Sequence, residues 1–488
     1  MNEKSPSLKR NYIYNTLYQV FTLITPLITA PYISRVLGAE GIGIQSYTNS
    51  IATYFTLVAA LGTAQYGQRE IAMLRDDVHE CSKTFWEIEI LSIFCTVGVT
   101  LIWLLWILLA HQYQVYYITL TIIIIAVAFD ISWYFAGMEQ FKYIVLRNFI
   151  FKLAGIVLLF IFIKNSNDLL LYILILSLSQ LLGNLSMWTY LKGSVEKVPY
   201  KKLNIKRHVK QTFAYFIPTI ATSVYTVLDK TMIGAITDNA KENGYYEQAT
   251  KIVKMAETLV FSLNTVMSSR MSYLYAQQKY NEIKEKIRTS FDYLMLISIP
   301  LAVGIIGVSR NFVPWFFGSD YEQVIPLLYA MAPIIVVITI SNILGSQYLT
   351  PSGQRVRSSK AIIIGAVVNF VLNAVLIPFY GAMGATIASV IAEFVISAIY
   401  MYMSVEVITW SDVISTMWKR VIASLIMLSV LFIIEYGHTG SMVITLLQVL
   451  AGVFVYAVSL ILLNDVFLKH FLLSYKNKIC KRVFHGSN

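Results

Sequence analysis

Apolar residues run along this chain in long continuous stretches, broken by short clusters of charge, glycine and proline. A helix needs roughly 20 apolar residues to cross a bilayer. On that measure the pattern predicts helices at 12–35, 42–65, 86–110, 113–136, 144–163, 169–191, 210–235, 247–272, 290–309, 324–348, 361–378, 383–403, 418–436 and 441–463. The sharpest is Ile90–Ala110, which holds no charge. The stretches 42–65 and 247–272 are rich in Ser, Thr, Asn and charge, so they are expected to face a cavity or other helices. Continuous rather than alternating apolar runs argue against a β-barrel. The expected fold is all-α: a polytopic membrane protein of about fourteen transmembrane helices.

Composition supports this. Of 488 residues, 57% are hydrophobic and 13% charged, about half the charge of a soluble domain, and the mean hydropathy is +0.64. That excludes a water-soluble enzyme, a secreted disulfide scaffold and a disordered chain. Cys81, Cys95 and Cys480 have no metal-site or disulfide spacing. The polar start Met1–Arg10 does not read as a signal peptide.

The net charge of +11 becomes informative once it is distributed over the loops. With both termini cytoplasmic, the cytoplasmic segments hold 29 Lys/Arg, and the opposite face holds only Arg35, Lys164, Lys241 and Arg310. Such an asymmetry over fourteen alternations fits the count and the orientation. It also means that the positive charge does not point to nucleic acid.

The basic segment 192–209 divides the chain. We expect an N-terminal six-helix bundle at 1–191, the linker 192–209, a second bundle at 210–404, and two further helices with a basic tail at 405–488. The halves echo each other. Gly38-Ala39-Glu40-Gly41-Ile42-Gly43 and Asp238-Asn239-Ala240-Lys241-Glu242-Asn243-Gly244 each lead into a polar helix. Tyr134-Phe135-Ala136-Gly137-Met138-Glu139-Gln140 is echoed by Tyr348-Leu349-Thr350-Pro351-Ser352-Gly353-Gln354. The offsets are 201 and 214 residues, and internal duplication is characteristic of transporters.

Ionisable groups at bilayer depth cost several kcal/mol unless they meet partners or water. Asp130, Lys152, Asp229, Lys230, Lys251, Lys254, Glu257, Arg270 and Glu393 fall inside the expected helices. Lys251 and Lys254 share a helix face, as do Lys254 and Glu257, whereas the neighbours Asp229 and Lys230 point about 100° apart. One reading is a water-filled, cation-lined cavity built for an anionic headgroup, centred on Lys230, Lys251 and Lys254. The other is snorkelling to the interface, which suits Lys152 and Arg270 equally well. Glu393 follows a small-residue face and serves either a structural hydrogen bond or ion coupling. Asp229 and Glu257 are the other candidates for coupling. Pro26, Pro31, Pro218, Pro300, Pro326 and Pro333 permit kinks. The chain carries no phosphate-binding Gly-x-x-x-x-Gly-Lys-Ser/Thr loop, no His-Glu-x-x-His and no Gly-x-Ser-x-Gly. No enzyme activity, metal or cofactor is expected.

An ordered set of motifs carries a family resemblance. It begins with Pro31-Tyr32-Ile33-Ser34-Arg35-Val36-Leu37-Gly38-Ala39-Glu40-Gly41-Ile42-Gly43 and Ser46-Tyr47-Thr48-Asn49-Ser50-Ile51. Tyr66-Gly67-Gln68-Arg69-Glu70-Ile71-Ala72, in the first cytoplasmic loop, and Trp133-Tyr134-Phe135-Ala136-Gly137-Met138-Glu139 follow. Asp229-Lys230-Thr231-Met232-Ile233-Gly234 and Gly244-Tyr245-Tyr246-Glu247-Gln248-Ala249 complete it. From residue 11 to about 404 the chain resembles the Wzx-type O-antigen and capsule repeat-unit flippases of the multidrug/oligosaccharidyl-lipid/polysaccharide exporter superfamily.

The resemblance implies two six-helix bundles plus two C-terminal helices. It implies alternating access that moves an undecaprenyl-diphosphate-linked oligosaccharide from the inner to the outer leaflet of the bacterial cytoplasmic membrane for surface polysaccharide synthesis. Its implied partners are the bilayer, the lipid-linked substrate, a polysaccharide polymerase and glycosyltransferases. A cationic central cavity in the family matches the cluster at Lys230, Lys251 and Lys254. Arg35 matches the first motif but sits at an outer helix end, where it gates or caps. Two alternatives stay open. A cation-coupled multidrug exporter of the same superfamily needs a carboxylate-dominated cavity. A membrane polysaccharide polymerase needs a long external loop, and the longest here lies near Arg310–Gln323.

Overall fold

The computed structural model describes residues 8–437, 440–465 and 467–469, without the side chains of 8–18, 217–226, 262–266 and 269. Cys480, most of the basic tail and the Pro218 side chain lie outside what is described. Among the described residues the fold is helical throughout. It divides into two compact units, Met1–Glu247 and Gln248–Asn488.

The first unit opens with α1, Leu8–Ala60, whose 53 residues span about 80 Å at 1.5 Å per residue, more than twice a hydrocarbon core of about 30 Å. Gly38, at φ 68° and ψ 175°, breaks it into two lengths, in a conformation that only glycine adopts cheaply. Then come α2 (Thr63–Leu74), α3 (Val78–Leu109), α4 (Gln114–Val127), α5 (Ser132–Gly137), α6 (Phe141–Phe162), α7 (Leu169–Met187) and α8 (Lys206–Ile236). Helix α9 (Ala240–Ala276) runs from one unit into the other. The second unit holds α10 (Tyr280–Phe316), α11 (Val324–Met331), α12 (Pro333–Ile343), a π-helical turn at Leu344–Leu349, α13 (Arg355–Met403), α14 (Trp410–Glu435) and α15 (Met442–Leu462). Helix α13 is another double length, broken at Gly381.

Ten helical stretches among the described residues are long and apolar enough to cross a membrane, α1 and α13 each counting once within them. Their outward faces are apolar, as at Leu105, Leu108, Leu450 and Phe454, which suits lipid and not water. Inside the first unit, Trp103, Tyr117, Ile124 and Ile173 form one core with α1. Tyr66, Phe85, Trp133, Tyr134 and Phe135 form a second. Two of the sequence motifs meet there. Residues 66–72, expected in a loop, fold as part of α2, and a Cβ at Gly67 would lie 2.5 Å from the Trp133 ring. In the second unit α10, α14 and α15 enclose Met427, Leu431 and Tyr456.

Both sequence echoes recur as geometry. The helix end at 134–140 closes with Gln140 N–H donating to Phe135 C=O (2.8 Å) and Glu139 N–H to Ala136 C=O (3.1 Å). At 348–354, Gln354 N–H donates to Leu349 C=O (2.9 Å) and Gly353 N–H to Thr350 C=O (3.2 Å). Glu139 (φ 59°) and Gly353 (φ 79°) occupy the left-handed position of the same Schellman cap. The other echo forms a reciprocal crossing of α1 and α9 within the first unit. A Cβ at Gly43 would lie 1.7 Å from Ala240 O, and a Cβ at Gly244 would lie 2.0 Å from Ala39 O. Only hydrogen fits at either place.

Candidate functional site

Two constellations of polar residues in the first unit contain sequence-derived site residues. One lies where α8 and the start of α9 pack against the second length of α1. Adjacent residues on α8 meet adjacent residues on α9. The Tyr246 hydroxyl donates to Asp229, and Lys230 Nζ lies 2.5 Å from Glu247 Oε2. Ser46, on α1, donates to the same Glu247 oxygen at 2.9 Å, and Asn243 donates to the Lys230 carbonyl at 2.7 Å. Thr231 lies 2.9 Å from the Ser50 hydroxyl and 3.2 Å from Tyr54. Lys230 is thus an ion-paired side chain, 20% exposed against 12% for Glu247.

The other constellation surrounds a cavity of about 470 Å³ between α1, α6 and α7. Its polar lining includes Thr25, Asp130, Arg147, Lys152, Gln180 and Asn184. Arg147 is nearly enclosed, at 10% exposure, and 3.7 Å from the better exposed Asp130. Amide oxygens fix its guanidinium: Asn148 Oδ1 accepts from Nε (3.0 Å) and Nη2 (2.7 Å), and Asn184 Oδ1 from Nη1 (2.9 Å). Asn184 is oriented in turn by donating to the Ala126 carbonyl at 2.7 Å. Asp130 also accepts from Ser132 N–H at 3.0 Å, in the break between α4 and α5. Lys152, half-buried, stands 5.8 Å from the centre of the Phe21 ring. Two cations therefore line this space against one carboxylate. Neutral acceptors share the guanidinium with Asp130, and with Lys152 the lining keeps one cation in excess, as an anion site requires.

The remaining sequence-derived residues are distributed as follows. Arg35 is exposed, three residues before the Gly38 break. Lys251, half-buried, and Lys254, exposed, stand on α9 in the second unit. Glu257 shares that unit with Lys254 and Glu393, the charged groups that face it. Glu393 is buried on α13. Arg270 is exposed near the end of α9, 3.4 Å from Glu282 and 5.3 Å from the Tyr273 ring centre, an interfacial setting.

Several residues escaped the sequence reading. Arg147 falls inside the expected helix at 144–163 but is counted with the cytoplasmic cations; it stands enclosed on α6. Glu89, one residue before the sharpest apolar run, is wholly buried, and neither carboxyl oxygen has a hydrogen-bond partner among the described residues. Arg420 is 1% exposed, 3.1 Å from Asp292 and 3.5 Å from Asp465. Glu87 ties the basic linker to α3. It accepts from Asn204 N–H (2.7 Å) and lies 2.6 Å from Arg207 and 2.7 Å from His208.

A family model described as polysaccharide biosynthesis protein matches residues 8–274, and a MatE model matches 215–375. A putative O-antigen transporter of Escherichia coli (strain K12) is 24% identical over 407 residues, 82% of this chain and 97% of that protein. The lipid II flippase MurJ in an inward closed conformation superposes with a TM-score of 0.72 at 18% identity, covering 95% of this chain and 99% of that one. An inward-facing multidrug resistance MATE family transporter gives a TM-score of 0.59 at 13% identity, covering 79% of this chain and 98% of that one. The solved structures establish the likeness of fold.

Proposed function

The chain belongs to the polysaccharide biosynthesis protein family, and we propose that it is a flippase rather than an enzyme. It moves undecaprenyl-diphosphate-linked oligosaccharide repeat units from the inner to the outer leaflet of the bacterial cytoplasmic membrane. The observation that carries this reading is the cavity holding Arg147 and Lys152 against Asp130 alone among charged side chains. A diphosphate headgroup cannot enter hydrocarbon unaided, and fixed cations inside a membrane bundle offset the loss of its hydration. The second unit offers Lys251 and Lys254 to the same chemistry, with Arg35 and Arg270 nearer the membrane surfaces. A carrier of cationic drugs is disfavoured, because here the cations outnumber the carboxylates.

In this reading the chain crosses the membrane fourteen times. The two broken helices α1 and α13 cross twice each, and α8 and α9 are further crossings. Both termini are cytoplasmic, and two six-helix bundles precede α14 and α15. Repeat units arrive from glycosyltransferases and pass to a polymerase outside. Asp229, Glu257 and Glu393 are the candidate carboxylates for ion coupling; Asp229 accepts from Tyr246.

The test is genetic complementation in cells lacking their own repeat-unit flippase. Arg147→Gln combined with Lys152→Gln should abolish surface polymer while the protein still accumulates in the membrane. Undiminished polymer from that double variant contradicts the site.

A further inference from the structure

The segment 348–354, singled out as a repeat echo, has no role in holding a diphosphate. In the second unit it borders a cavity of about 840 Å³, within the roughly 300–1,000 Å³ of small-molecule sites. The end of α9, the start of α10, the π-helical turn and the loop after α13 enclose it. Single π turns inside helices recur at functional sites, and this one delivers Tyr348 to the lining. In the equivalent segment of the first unit Tyr134 is buried and donates to the Ser194 carbonyl at 3.1 Å; Tyr348 is buried as well but borders the cavity.

The lining is aromatic and polar with balanced charge. Tyr275 has its ring centre 6.5 Å from Tyr280 and 6.3 Å from Tyr348, so three rings stand around one space. Asn281, Ser352 and Gln354 add side-chain donors and acceptors, and the charged residues are one Lys284 and one Glu406. Balanced charge disfavours a diphosphate. Flat amphipathic rings beside groups that both donate and accept match a neutral, hydroxyl-rich ring with one apolar face.

We propose that this cavity is a saccharide site, binding pyranose units of the transported oligosaccharide at the loop end of the second unit. The positive-inside distribution of charge puts that end on the cytoplasmic side, where the substrate is loaded. The identity of the sugar's carrier rests on the flippase reading, whereas the existence of the site does not.

The experiment uses the full-length purified protein and the lipid-free oligosaccharide released by mild acid from the host's own lipid-linked repeat unit. Binding is read by ligand-observed saturation-transfer NMR. Tyr280→Ala, at a residue 64% exposed and therefore safe for folding, should weaken binding about tenfold or more. Tyr280→Phe, which keeps the ring, should stay within about threefold of the parent. Absence of signal from the parent protein, or equal affinity in parent, Tyr280→Ala and Asn281→Ala proteins, overturns the proposal. Tyrosine-dependent saccharide binding by a protein that moves no lipid in vesicles supports this site while refuting the flippase reading.

Discussion

The Lys230–Glu247 pair separates two roles that the sequence could not tell apart. Removing one partner of a buried ion pair costs about 3–5 kcal/mol, largely because the other charge is left uncompensated. With exposures of 20% and 12%, water offsets part of that, and about 2 kcal/mol is the fitting expectation for Lys230→Met alone. For a unit of this size about 2–4 °C of melting temperature accompanies each kcal/mol, so the variant should melt about 4–8 °C lower in detergent. Glu247→Gln alone should fall similarly, because it strands Lys230. The double variant Lys230→Met with Glu247→Gln leaves Ser46 a neutral acceptor and should recover to within about 2 °C of the parent, a coupling in the range of contacting residues. The assay is thermal unfolding of all four proteins, paired with polymer complementation. A stable double variant that still fails to complement makes Lys230 a substrate contact as well as a structural one. Additive losses in the four melting temperatures refute the pairing on which the reasoning stands.

Two further outcomes follow from packing and hydrogen bonding. Gly43→Ala and Gly244→Ala each drive a Cβ into a carbonyl oxygen, at 1.7 and 2.0 Å; overpacking of this kind costs about 1–3 kcal/mol, while Gly98→Ala, with nothing within 4 Å, should be neutral in the same melting experiment. Glu87→Gln removes the charge that Arg207 meets at 2.6 Å, so limited trypsin digestion should cut at Lys201 and Lys202 several times faster than in the parent, and an unchanged rate would show that the linker is held otherwise.

The helices were legible because an apolar run of twenty or more residues has few other uses, and the predicted boundaries mostly fall within several residues of the observed ones. The breaks were less so. Gly38 and Gly381 look like loop residues in sequence, yet the backbone on both sides stays helical, leaving a kink where a loop was expected. Arg147 was lost for a different reason: it lies three residues inside the expected helix at 144–163, where the charge distribution groups it with the cytoplasmic cations, and only its side-chain contacts show that it is enclosed. Pairing was the hardest part. Lys230 was recognised as an intramembrane cation, but Glu247 was read only as part of a motif. The available signal was their near-equal distance, 8 and 9 residues, from the turn at Asp238, which an antiparallel helix pair converts into contact. Of the candidate site, the sequence shows which cations fall within helices; which of them are neutralised by protein carboxylates depends on side-chain directions that a linear pattern does not carry.

The central claim is transport, and vesicles test it most directly. The purified chain is reconstituted into liposomes containing an undecaprenyl-diphosphate oligosaccharide labelled on its sugar, and access of an external enzyme or quencher to the label is followed with time. The account expects the protected half of the label to become accessible in vesicles with the parent protein, and to stay protected in empty vesicles and with Arg147→Gln/Lys152→Gln. Equal rates in all three, with the protein shown to be folded and inserted, would contradict it.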